Sequence, residues 1–158
     1  MKKIIALIVL IMTLNSCAEK IVINREVDST EYGKMLLGTQ SFDQFHKEPY
    51  KVWFDENYKI YPTDKPSIEA LKKAKINSYS ITVFLGTWCG DSKRNFPRLM
   101  KILDETKFPK SKLHIIGVNR KKQSPNGEEA KYNIVKVPTI ILEKYGKEIG
   151  RITEEPET

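Results

Sequence analysis

The chain of 158 residues is poor in the groups that most often carry chemistry: two cysteines, two histidines and eight glycines. The histidines, His46 and His114, are far apart and neither sits near a cysteine, so no ligand spacing for zinc exists. A cysteine hydrolase needs a base beside its thiol, and neither histidine has a context that places it there. The glycines never cluster into a phosphate-cradling loop, and no cofactor is expected. Basic residues are scattered through helices and loops without a nucleic-acid motif, so the net charge of +7 reads as a solvated lysine-rich surface rather than a nucleic-acid footprint. The only long apolar run, Ile4 to Leu14, is too short for a comfortable membrane span, which needs about 20 residues.

That run follows Lys2 and Lys3 and has the shape of the apolar core of a signal peptide. It ends in Leu14-Asn15-Ser16-Cys17, which resembles the lipobox of bacterial lipoproteins, where the cysteine is acylated. Asn15 departs from the usual small residue, and an ordinary secretory signal with an incidental Cys17 is the alternative. The expectation is a signal peptide over 1–17 with acylated Cys17, a membrane anchor and a site outside the cytoplasm, in the cell envelope. Cys89 is then the single free thiol and no internal disulfide can form. Without Lys2 and Lys3 the charge is about +5. The rest of the chain has the size of one domain.

The chain is organised around Ser80-Ile-Thr-Val-Phe-Leu-Gly-Thr-Trp-Cys-Gly-Asp-Ser-Lys-Arg-Asn-Phe-Pro97. Ile81 to Leu85 is apolar and β-branched, the pattern of a strand buried on both faces. From Lys93, the positions Phe96, Leu99, Met100 and Leu103 mark one face of a helix. Cys89 therefore falls where a central strand hands over to a helix N-terminus, whose unpaired N–H groups favour a thiolate.

This stretch resembles the thioredoxin superfamily in its strand, in Trp88-Cys89-Gly90, and in Pro97 eight residues after the cysteine. A second match is Tyr132-Asn-Ile-Val-Lys-Val-Pro138-Thr-Ile-Ile-Leu142 followed by Gly146-Lys-Glu-Ile-Gly150-Arg-Ile. The resemblance implies a thioredoxin-like α/β fold, a central mixed sheet flanked by helices, and a cis Pro138 facing Cys89. It implies a site of Cys89 and Ser92, with Trp88, Gly90, Asp91, Val137 and Pro138 holding substrate. It implies partners that are thiols and disulfides of proteins or small molecules. The family's second cysteine is Ser92 here, its common proline is Asp91, and its frequent buried acid is Val83. Two-thiol chemistry therefore does not carry over. Thiol–disulfide exchange through Cys89 alone is expected, resolved by an external thiol. The alternative is a redox-inert module that uses the same groove to bind peptides or a membrane partner.

Residues 18–33 read as a polar tether with a short edge strand at Ile21-Val-Ile23. Residues 34–62 read as a helical extension whose stripe of Tyr50, Trp53, Phe54, Tyr58 and Tyr61 packs on the core. Thr39 or Ser41 is a candidate cap at its start. The thioredoxin-like domain is expected over 63–158, with Ser67 capping its first helix and a hairpin at Thr139–Leu142 and Glu148–Ile152. The family usually closes with a further helix, and the extension is expected to cover the face left open. Arg120-Lys121-Lys122 is read as a solvated loop, with contact to an acidic partner as the alternative.

Overall fold

The computed structural model describes residues 22–155. The expected signal segment and Cys17 lie outside the described residues. Six strands form one sheet in the order β1-β2-β4-β3-β5-β6. They are β1 (Arg25–Ser29), β2 (Gly33–Gln40), β3 (Ser80–Leu85), β4 (Leu113–Gly117), β5 (Thr139–Lys144) and β6 (Lys147–Thr153). Only β3 and β4 run parallel; the other neighbours are antiparallel. The helices are α1 (Tyr50–Ile60), α2 (Lys65–Lys73), α3 (Gly90–Glu105) and the short α4 (Glu128–Lys131).

Alternation along the central strands separates two cores. Ile81, Val83 and Leu85 of β3 and Ile115 of β4 face α1, α2 and α3. Phe84, Ile116 and Ile141 face the other way, where they meet Val118, Ile134 and Val137. The first core is closed by aromatic rings. Phe96 of α3 lies 4.6 Å from the Phe45 ring and 5.9 Å from the Phe54 ring, and all three are buried. Burying each such side chain contributes about 1.5–3 kcal/mol. Tyr58 extends this seam by donating to Asp104 at 2.9 Å.

The expected helical extension over 34–62 needs correction. Its first part is β2, which pairs with β4 through Gly38–Gly117, Thr39–Ile116 and Gln40–Ile115. The sheet therefore begins before residue 63, and Thr39 is a strand residue. Met35-Leu36-Leu37 is an apolar run too short to reveal its period, and only the long-range pairing decides it. Gly117 permits that pairing: a Cβ there would fall 2.2 Å from the Leu36 carbonyl oxygen. The tether over 18–33 is also corrected in part. Its strand is β1, which begins two residues beyond the apolar patch, because the hairpin with β2 sets it rather than burial. Val22 and Ile23 are exposed.

Ser41 precedes a turn of 3-10 helix at Phe42–His46 but makes no side-chain cap. The cap of α2 is Asp64, whose carboxylate accepts from the N–H of Ser67 at 2.9 Å and from its hydroxyl at 2.6 Å. Ser67 is thus the partner of the cap and not the cap itself. The final hairpin turns through Tyr145 and Gly146, both with positive φ of 53° and 71°, as a tight two-residue turn of the β twist demands.

The aromatic helix α1 covers the β2 side of the first core and leaves its β5–β6 side open. There an apolar groove of about 410 Å³ runs between α3 and the hairpin, past Ile102, Ile140, Leu142 and Ile152. Among the described residues the opposite face of the sheet carries only α4, beside a cavity of about 410 Å³ lined by Thr82, His114, Tyr132 and Glu143. Thr82 donates to Glu143 at 2.8 Å across it. Among the described residues no helix is long and apolar enough to cross a membrane.

Candidate functional site around Cys89

Strand β3 ends at Leu85, and the chain turns through Gly86-Thr87-Trp88 into α3. Cys89 is the N-cap residue of α3, with extended backbone and no side-chain cap bond. Its main chain closes the turn: the Cys89 N–H donates to Gly86 O at 2.9 Å, and Lys93 N–H donates to Cys89 O at 3.0 Å. The thiol is half-exposed, and Cys89 is the one free cysteine among the described residues.

Three bonds hold this turn to the fold. The buried Thr87 hydroxyl accepts from Leu36 N–H of β2 at 3.3 Å. The buried Ser92 hydroxyl accepts from Gly86 N–H at 3.2 Å. The Trp88 indole N–H donates to Val118 O at 2.9 Å. The indole packs against Gly86, where a Cβ would meet the ring at 2.5 Å, so no larger residue fits there without moving it. The first two bonds satisfy N–H groups that would otherwise be buried without a partner, a loss worth about 1–3 kcal/mol each.

The structure brings most of the residues singled out from sequence to one place. The Val137–Pro138 bond is cis, as the resemblance implies. Cys89 Sγ donates to Val137 O at 3.4 Å, so the loop before β5 lies directly against the thiol. Val137 and Pro138 are themselves buried and present backbone to the site. Gly90 is exposed with open space around it. Asp91 is turned to Arg94 at 3.0 Å. Ser92, grouped with Cys89 from sequence, is only 1% exposed and points under the turn. Its position makes it a support of the loop rather than a group that meets substrate.

Other residues of the site carried no sequence signal of their own. Asn95 donates to Glu154 O at 2.8 Å, and Glu154 N–H donates to Pro138 O at 2.7 Å. Lys136 pairs with the Glu154 carboxylate at 2.7 Å, and Arg94 pairs with Glu155. The segment after β6 thus straps α3 to the Pro138 loop and fixes the loop beside the thiol. Arg120 also joins the site only through its contacts with Tyr32 and Trp88, and Thr87 shows its role only through its bond to Leu36 of β2. His46 and His114 are not part of it: His46 packs edge-on to Phe42, and His114 projects from β4 on the α4 face. Among the described residues no group of acidic, histidine or cysteine side chains could hold a metal ion.

A thiol at the mouth of a helix, with one carbonyl against it and no second thiol beside it among the described residues, can attack one disulfide bond and hold the product. Two solved structures share the architecture. A protein of unknown function from Pseudomonas aeruginosa is 15% identical, with a TM-score of 0.56 over 75% of this chain and 74% of its own. An HIV epitope-scaffold is 16% identical, with a TM-score of 0.55 over 75% of this chain and 73% of its own. Mitochondrial thioredoxin 3 from Saccharomyces cerevisiae is 24% identical over 63% of this chain and 89% of its own, with a TM-score of 0.38. No curated protein matches the chain. The family model of thioredoxin matches residues 68–158, a span that runs from α2 through β6 and contains both Cys89 and Pro138. With that span covering more than half of its length, and with strand, thiol turn, helix and proline loop in the order observed, the chain belongs to the thioredoxin family.

Proposed function

We propose that the protein carries out thiol–disulfide exchange through Cys89 alone, held by lipid on Cys17 at a membrane of the cell envelope and facing outside the cytoplasm. The observation that carries the reading is the half-exposed Cys89 thiol against the Val137 carbonyl, with Ser92 where a second thiol would stand. In the exchange the Cys89 thiolate attacks one sulfur of a disulfide. A bond forms between the two sulfurs, the old S–S bond breaks, and the far sulfur leaves with the electron pair as a thiolate. Ser92 cannot attack sulfur, so an external thiol must free Cys89 by the same step in reverse. Trp88 and the backbone of Val137–Pro138 would hold the substrate on either side of the thiol.

Trapping tests this directly. A model disulfide should form a covalent adduct on Cys89 that persists until a small thiol is added. Ser92→Cys, which places a thiol one turn into α3, should shorten the adduct's life. Cys89→Ala should abolish it. A Cys89 that resists alkylation in the folded protein and never forms adducts would favour a redox-inert module that binds peptides or a membrane partner in the same groove. The anchor has its own test: Cys17→Ser should release the protein from membranes. An unchanged partition together with an N-terminal peptide of unmodified mass would count against acylation.

A further inference from the structure

The three basic residues after β4 do not share one environment. Arg120 folds back over the site, with its guanidinium 4.0 Å from the Tyr32 ring centre and 5.3 Å from the Trp88 ring. The turn that aims it is held by the Asn119 side chain, which accepts from Lys121 N–H at 2.8 Å and Gln123 N–H at 3.0 Å. A guanidinium stacked on ring faces keeps its fork of N–H donors available at its edge, the geometry that suits a carboxylate.

Beside Arg120 lies a cleft of about 360 Å³, between the β1–β2 turn, the start of α1 and the Thr87–Trp88 step. Its walls include Tyr32, Trp53 and Trp88, its cations are Lys34, Lys93 and Arg120, and no carboxylate lines it. One carboxylate bonds to its lining residues: Glu26 accepts from Lys34 at 2.9 Å and from the Tyr50 hydroxyl at 3.0 Å. Lys93 and Arg120 have no ion-pair partner among the described residues. The cleft ends at Trp88, the residue before the thiol.

We propose that this cleft receives the carboxylate of a small anionic disulfide and presents its sulfur to Cys89, so that the protein selects acidic substrates over neutral or basic ones. This rests on the thiol-exchange reading above. Cys89 attacks the near sulfur, and a Cys89–S–S–R bond forms as the acidic thiolate leaves with the electron pair of the broken bond. The volume admits a small organic acid. Lys93 and Arg120 bind its charge, and Trp88 separates that charge from the reacting sulfur.

The test compares three disulfides on the full chain: dianionic dithiobis(nitrobenzoate), neutral dithiodipyridine and dicationic cystamine. Adduct formation is timed by mass spectrometry on the Cys89 peptide, and the readout is the ratio of the dianion rate to the neutral rate. Arg120→Gln with Lys93→Gln should lower that ratio about tenfold, as loss of paired rim charges does to association. Lys144→Gln, which removes a β5 cation stacked on Tyr79, should leave it unchanged. A ratio untouched by the double substitution, or lowered equally by Lys144→Gln, overturns the cleft and leaves thiol exchange standing. Failure of all three disulfides to modify Cys89 overturns thiol exchange itself.

Discussion

Cys89 Sγ and the carbonyl oxygen of Val137 lie 3.4 Å apart although 48 residues separate them in the chain. The contact joins the start of α3 to the loop that enters β5. Two anchors hold it: Ser92 beneath the turn and the Asn95–Glu154–Pro138 bonds behind the loop. The thiol therefore meets a fixed backbone acceptor, and a substrate chain approaching it does so against a surface already in place.

Ser92→Ala should destabilise the fold by about 1–3 kcal/mol, because it leaves the buried Gly86 N–H without its acceptor. Urea unfolding measures the loss. If the serine merely supports the loop, the alanine variant should still form the Cys89 adduct, at a reduced rate. Unaltered stability would mean that the Gly86–Ser92 bond contributes nothing.

Gly86→Ala should expel the Trp88 indole from its seat, since the added methyl overlaps the ring at 2.5 Å. Overpacking of this kind costs about 1–3 kcal/mol. In a Trp53→Phe background, Trp88 is the only tryptophan. Its emission should then shift to the red and its quenching by iodide should rise. A spectrum identical to that of the parent would contradict the packing of Trp88 on Gly86.

Phe96→Ala should cost about 3–5 kcal/mol, because the ring is 1% exposed and bridges Phe45 and Phe54 to the sheet. The same substitution at exposed Val52 on α1 should change stability by no more than about 0.5 kcal/mol. Similar losses at both positions would deny that α1 is held through its aromatic stripe.

The Tyr58 phenol is pushed up to about 12 by burial and by its bond to Asp104. An unfolded tyrosine titrates near 10. Below pH 10 both states hold the proton, and the bond contributes in full. As pH rises from 10 through 12, the unfolded chain loses the proton first, so this contribution falls. The stability advantage of the parent over Tyr58→Phe, measured in urea at pH 8 and again at pH 11, should shrink at the higher value. An advantage that stays constant would contradict a phenol held by Asp104.

Local pattern in the sequence determined the β3–Cys89–α3 unit, the aromatic face of α1 and the closing hairpin. Each depends on neighbours a few residues away: a β-branched run, a repeat of three and four residues, a turn with glycine. The domain boundary at residue 63 and the role of Ser92 were not legible in this way. Gly33–Gln40 contains no repeat long enough to name its element, and it becomes β2 only because β4 offers an edge and Gly117 lets the Leu36 carbonyl approach. Ser92 reads in sequence as a site residue standing at the family's second cysteine, and its supporting role shows only once the turn above it folds down and presents the Gly86 N–H. Arg120 likewise belongs to a basic run in sequence, and joins the site only where Tyr32 and Trp88 converge from turns distant in sequence. Hydrophobic periodicity is a local property, whereas satisfying a buried N–H or stacking a cation requires a partner that only the closed sheet delivers.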